Sequence, residues 1–267
     1  MTRPSVQAAV LLSALASCAS PSWREVAPTD PSVRLVGRTE SVSGGTRFEW
    51  PGAGARIAFE GTSCKARLRS NGAVLMVEVD GSPRPDLRLL EPVDDTLVEL
   101  VAGLPAGHHL VEIGKRTEGF VGSVVLRGFL VDGKTGALPT PPGRRVEFVG
   151  NSITCGYGVL DSAKEHRFSP LTEDVYSSWA FVAGRALDAE VRTTCFSGRG
   201  LVRNADGSVE GVVPELFERT SPVSASEPWD FSGWRPQAVV LNLGTNDFAR
   251  YPPPDSAAWE AAVVAFV

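Results

Sequence analysis

Histidine and cysteine are scarce in this chain, and neither stands in a pattern that holds a metal. Three histidines (His108, His109, His166) and four cysteines (Cys18, Cys64, Cys155, Cys195) occur in 267 residues. No spacing among them matches a metal site, so no metal or other cofactor is expected. Basic blocks are lacking too. The balance of 26 Lys+Arg against 31 Asp+Glu gives a net charge of -5, with no interleaving of aromatic and basic residues, which argues against nucleic acid as a partner. Beyond the first twenty residues no apolar run is long enough to span a bilayer.

What is present begins with MTRPSVQAAVLLSALASCAS. Arg3 makes a short basic region, and Ala8 to Ala16 form an apolar stretch typical of an export signal. Leu15-Ala16-Ser17-Cys18 resembles a bacterial lipobox, in which Cys18 would be lipidated and become the mature N-terminus. The alternative is a plain secretory signal with an incidental cysteine. Residues 1–18 are therefore read as a lipoprotein signal, with a membrane anchor at the periplasmic or cell-surface side, or otherwise as a signal for secretion. With Cys18 set aside, three cysteines remain, so at least one is free within the chain. Burial as small hydrophobes would account for all three.

Residues 19–32 are rich in proline and serine and read as a tether. From 33 to 135 short alternating segments follow one another. RIAFEG sets Ile57 and Phe59 to one side, VLMVEVDG sets Leu75, Val77 and Val79 to one side and turns at Asp80-Gly81, and SVVLRGFLVDG ends in a second Asp-Gly. Such segments predict an antiparallel β-sandwich. Lys134 to Arg145, KTGALPTPPGRR, reads as a stiff connection. From 145 to 267 strand and helix patterns alternate: VEFVG, then Val175, Trp179, Val182, Ala183, Ala186 and Leu187 at helical spacing, then AEVRTTCF, PELFERT, QAVVLNLGTND and a final helical run. This predicts an α/β domain with a parallel sheet. Three strands and one unfinished helix leave such a domain C-terminally incomplete. The apolar QAVVLNLG is expected to be covered by helices on both faces.

Ligands of open α/β sheets bind beyond the carboxyl ends of the strands. Three such ends here read Gly150-Asn151-Ser152, Ser197-Gly198-Arg199-Gly200 and Gly244-Thr245-Asn246-Asp247. If the strands run parallel, all three converge. Ser152 then offers a hydroxyl and an N–H at a strand-to-helix turn. Gly198 offers an unshielded N–H, and Asn246 a neutral amide donor. One hydroxyl with three donors is the composition of a nucleophile beside an oxyanion hole.

At these residues the chain resembles a family. GNSITCGYG, FSGRGLVRN and LNLGTND are similar to the first three blocks of the SGNH (GDSL-like) hydrolases, and in particular to carbohydrate esterase family two. The resemblance implies an N-terminal jelly-roll ahead of an SGNH-hydrolase domain. It implies acetyl ester hydrolysis on polysaccharides such as xylan or glucomannan, without a metal. By position it makes Ser152 the nucleophile and an oxyanion donor, with Gly198 and Asn246 as the other donors. Two departures stand out. Asn151 occupies a place where aspartate is usual. The family's base, a histidine in a late Asp-x-x-His block, has no counterpart in these 267 residues, so little esterase activity is expected.

Each residue also has a plainer role. Ser152 and Asn246 are common helix caps, and Asp247 is suited to bonding a loop. Tyr157 and Arg199 are candidates for substrate contact; Trp229 and Trp234 could stack on sugar, with core packing as the default. His108 and His109 read as a solvated hairpin turn, and His166 as a loop residue on the correct sheet edge. Two other functions stay open. One is an inactive carbohydrate-binding or scaffold lipoprotein, and the other is an SGNH acyltransferase or lipase.

Overall fold

The computed structural model describes residues 23–224 and 226–267, so the residues read as an export signal, Cys18 included, lie outside the described residues. The first ten strands are β1 (Trp23–Val26), β2 (Val33–Val36), β3 (Thr39–Val42), β4 (Gly45–Phe48), β5 (Gly54–Ser70), β6 (Ala73–Val79), β7 (Ser82–Leu89), β8 (Val93–Val101), β9 (Gly107–Lys115) and β10 (Val124–Thr135). They form one large antiparallel sheet in the order β3-β4-β10-β5-β9-β6-β7, with β1 on β10 and both β2 and β8 on β5. The 17-residue β5 is its spine. Its first half pairs with β2 and β9, and its second half with β8 and β10. The predicted alternation holds along it, since Ile57, Phe59, Ala66 and Leu68 are all fully buried, in one core with Phe48, Trp50 and Phe129.

Three expectations change in this half. The stretch read as a tether, 19–32, contains β1, whose Val26 is buried in the core. Asp132-Gly133 is not a turn. It lies inside β10 at a register shift against β5, and the Asp132 carboxylate accepts the N–H groups of Thr62 at 2.7 Å and Ser63 at 2.6 Å. The Asp-Gly pair thus serves a bulge. His109 is buried within β9, held by Asp80 at 2.7 Å and the Pro105 carbonyl at 2.8 Å.

The α/β half follows: β11 (Arg144–Gly150), α1 (Ser152–Cys155), α2 (Trp179–Ala186), β12 (Ala189–Cys195), α3 (Val213–Phe217), β13 (Ala238–Asn242) and α4 (Ser256–Phe266). The sheet is parallel, as the alternation predicted, and its strands lie in the order β12-β11-β13. Helix α2 turns a different face inward from the one expected. Ser178 stands outside the helix as its N-cap residue, so the pattern does not run through from Val175. Ala180 and Gly184, four apart, meet the sheet, while Val182 and Leu187 are exposed. Strand β13 is an edge strand, and Val239 and Val240 are exposed on it, not covered on both faces.

The halves are joined by buried polar bonds. The Trp50 indole donates to the Thr220 carbonyl at 3.0 Å, and the Thr193 hydroxyl to the Pro51 carbonyl at 2.5 Å. At Gly114 in β9 a Cβ atom would lie 1.7 Å from the Tyr176 hydroxyl oxygen, so only glycine permits this approach. Among the described residues no helix is long and apolar enough to cross a membrane.

Candidate active site

The register of the parallel sheet aligns the three strand ends. Gly150 lies opposite Cys195 on one side and Asn242 on the other. The chain leaves each strand there, and all three polar segments emerge on the carboxyl edge of the sheet. Asn151 caps α1, its side chain accepting the Ile153 N–H at 3.3 Å. Ser152 is therefore not the cap. It is the first residue of α1 and half-buried, and among the described residues no hydrogen bond reaches its hydroxyl.

The second segment is bound to the first. The Phe196 N–H donates to the Gly150 carbonyl at 3.3 Å. A disulfide joins Cys155, at the end of α1, to Cys195, at the end of β12. This corrects the reading of those two cysteines as simple buried hydrophobes, while Cys64 is indeed buried and free. Gly198 has φ +77, and a Cβ there would meet open space, so backbone conformation and not crowding is what calls for glycine.

The third segment is bound to the second. The Asn246 side-chain amide donates to the Arg199 carbonyl at 2.7 Å, which leaves its second amide hydrogen available. Asp247 is fully buried, and its carboxylate accepts the N–H groups of Leu201, Val202 and Arg203 at 3.0, 2.7 and 3.1 Å. That is the loop-bonding role suggested for it by its position.

Around this edge runs a row of rings. Exposed Tyr157 stacks on Phe168 with centroids 4.6 Å apart. Phe168 meets Phe120 at 5.3 Å, and Phe120 meets Phe196 at 5.8 Å. Arg199 faces Phe196 at 5.4 Å and donates to the Glu210 carbonyl at 3.2 Å. His166 is exposed and bonded to Asp161 at 2.6 Å, beside a cavity of about 200 Å³ that Tyr157 and Phe168 also line. Its hydrogen bond holds the Asp161 carboxyl below the usual carboxylate range. Trp229 and Trp234 are taken up by cations, facing Arg38 at 5.5 Å and Arg192 at 4.1 Å.

One residue here escaped sequence reasoning. Glu118, in the turn after β9, sends its carboxyl group to the backbone N–H and hydroxyl of Ser197. The only hint was KRTE, four polar residues directly after an apolar strand.

Similarity to known proteins agrees with this geometry. Residues 35–141 match the family described as carbohydrate esterase 2 N-terminal. The structure superposes with a TM-score of 0.79 on a family two carbohydrate esterase from Clostridium thermocellum, solved in complex with cellohexaose. Sequence identity is 35%, over 86% of this chain and 71% of that one. The chain belongs to carbohydrate esterase family two. Among similar proteins, the cellulase/esterase CelE of Acetivibrio thermocellus is 37% identical over 82% of this chain. An acetylxylan esterase / glucomannan deacetylase of Cellvibrio japonicus is 28% identical over 85%. The chain spans 27% of the length of the first and 64% of the second. In this family two member, the large antiparallel sheet and the small parallel sheet with helices match the two-part architecture of its solved relatives.

Proposed function

We propose that the chain is a serine esterase that removes acetyl groups from polysaccharides. The observation that carries the reading is the register that sets Gly150, Cys195 and Asn242 on one line, with the segments beyond them bonded to each other. Ser152 is the nucleophile. Its oxygen attacks the acetyl carbonyl and loses its proton to a base, and the carbonyl oxygen becomes an oxyanion. The N–H groups of Ser152 and Gly198 and the free hydrogen of Asn246 receive that oxyanion. Collapse expels the sugar oxygen, which takes the proton back from the base and leaves as the hydroxyl. Water then gives a proton to that base, attacks the acyl-serine, and releases acetate as Ser152 regains its proton.

The base is a histidine in the family pattern. The three histidines of this chain are engaged elsewhere, with Ala137, Asp80 and Asp161. Turnover by these 267 residues is therefore expected to be slow. The exposed Val239 and Val240 of β13 and the absence of buried residues on α4 support an α/β domain that is incomplete here. The antiparallel half is read as a jelly-roll sandwich, on the grounds that the two halves of β5 pair with different strands around one core.

Acetylated xylan or glucomannan is the proposed substrate, supported by what the relatives are named for, and a glucan by the cellohexaose bound in one of them. Tyr157 and its ring neighbours offer apolar surface for sugar faces, which also supports glycan binding without turnover as the second reading. Export, with a lipid on Cys18, completes the proposal on the strength of residues 1–18.

The test compares acetate release from acetylated xylan by the chain and by Ser152→Ala, each with and without added imidazole. Release that imidazole raises, and that Ser152→Ala abolishes, is the expected result. Equal release by both proteins overturns the nucleophile. Tight glycan binding with no release under any condition favours the binding protein.

A further inference from the structure

Four residues leave β9 toward the α/β half, and none of their side chains escapes burial. Lys115, Thr117 and Glu118 are 0% exposed and Arg116 is 4% exposed. Charged groups are held in such a place only by partners. Lys115 Nζ donates to the carbonyls of Thr117 at 2.5 Å and Glu118 at 2.8 Å, closing the segment into a hook. Arg116 donates to the carbonyls of Leu171 at 3.2 Å and Glu173 at 2.8 Å. The Glu118 N–H donates to Glu173 Oε2 at 3.1 Å. The hook is thus fastened to the loop that follows the nucleophile segment.

From this anchored position the Glu118 carboxyl group reaches Ser197, accepting its N–H with one oxygen and bonding its hydroxyl with the other. Ser197 directly precedes Gly198. A glycine in open space can rotate its peptide planes freely, so its neighbours decide where its N–H points. On the far side, the Arg199 N–H bonds the Phe196 carbonyl at 3.3 Å and the Ala205 N–H bonds the Gly198 carbonyl at 2.9 Å. On the near side, beyond the Phe196 bond to the Gly150 carbonyl, Glu118 holds Ser197 itself.

We infer that Glu118, supplied by the antiparallel half, is a positioning residue for the oxyanion hole, holding Ser197 so that the Gly198 N–H faces the reacting carbonyl. The inference rests on the esterase reading of Ser152. It gives the N-terminal half a direct part in the chemistry of the other.

The hold depends on a proton. Burial, and then the adjacent charge of Glu173, raise the Glu118 carboxyl well above the usual range, and burial raises Glu173 as well. Lys115 and Arg116 face Glu173 and favour its charge, and Glu49 acts on Lys115. The raised carboxyl favours keeping its proton beside Glu173 while an oxygen still accepts from Ser197. Because the raised carboxyl binds its proton more tightly in the folded state, this arrangement is intact at low pH. It is lost as pH rises through the folded-state value.

Glutamine reproduces the protonated acid: an oxygen for Ser197 and an N–H for Glu173. The test measures kcat and KM for acetate release by wild type, Glu118→Ala and Glu118→Gln across pH 6 to 10. It also follows the Gly198 amide by NMR over the same range. Loss of an oxyanion donor lowers kcat by ~10²–10³, so a misdirected one should lower it on the order of 10-fold in Glu118→Ala, with KM little changed. Glu118→Gln restores most of that loss and removes the fall in kcat as pH rises. The Gly198 resonance shifts with rising pH in wild type and does not in Glu118→Gln.

A Glu118→Ala protein that is folded and keeps the wild-type kcat overturns the inference. So does a shift of Gly198 with rising pH that persists in Glu118→Gln. If wild type releases no acetate even with added imidazole, the esterase reading fails, and the Gly198 resonance alone decides whether Glu118 controls the loop.

Discussion

Arg38 and Glu147 meet at 3.2 Å across the join of the two halves, with side chains only 3% and 7% exposed. Burial opposes the charge on Arg38, and Glu147 supports it. The rings of Phe217, Phe231, Trp229 and Trp50 stand 4.8 to 5.7 Å from the guanidinium. Removing one partner of such a pair leaves the other charged and buried. Arg38→Ala should therefore lose roughly 3–5 kcal/mol of stability in denaturant melts. The double variant Arg38→Met/Glu147→Gln should lose clearly less. Equal losses would mean that the pair is not the source.

Asp247 holds three backbone N–H groups in the loop after Gly198. Asp247→Ala leaves all three without their acceptor, at about 1–3 kcal/mol for each donor left buried. The expected result is a large fall in melting temperature together with faster exchange of the Leu201, Val202 and Arg203 amides. Unchanged exchange at those three positions would show that the carboxylate is dispensable.

The Cys155–Cys195 bridge spans a separation of 40 residues and ties α1 to the strand before Gly198. Closing a loop of that size is worth about 3–4 kcal/mol on the chain-entropy scale. Cys195→Ser should lose stability of that order, and reducing agent should lower the melting temperature of wild type but not of the variant. A variant as stable as wild type under oxidising conditions would refute this.

Lys115 sets a pH dependence. Burial pushes its ammonium down to about 8, against the pull of Glu173, Glu118 and Glu49. Between about 8 and the ordinary lysine value near 10.4, the unfolded chain binds the proton and the native state does not. In that window the lysine's contribution to stability rises with pH, by about 3 kcal/mol across it. The stability of wild type relative to Lys115→Met should therefore increase from pH 8 to 10.5. A flat difference would place the Lys115 value near that of a solvated lysine.

Much of this molecule is legible without coordinates. Alternation along RIAFEG and VLMVEVDG locates buried residues in β5 and β6, because a strand's period of two leaves little choice of face. That β11, β12 and β13 run parallel follows from alternating strand and helix patterns. Helix α2 was less legible. A break at Ser178 resets the phase, and Gly184 packs on Val191 where a larger residue would not fit. The burial of β13 depends on what lies beside an edge strand, which its own apolar residues do not specify.

The candidate site divides along the same line. Ser152, Gly198 and Asn246 announce themselves locally, since a strand that ends in glycine and a polar donor is a short-range pattern. The groups bonded to these segments come from far away in the chain. Glu118 reaches Ser197 across 79 residues, and Cys155 finds Cys195 across 40. Sequence alone determines which side chains could perform the chemistry, because donor and nucleophile are properties of residue type. Only the tertiary structure decides which carboxyl group, buried and short of water, bonds the loop that carries Gly198. That choice is made by the packing of one half of the protein on the other.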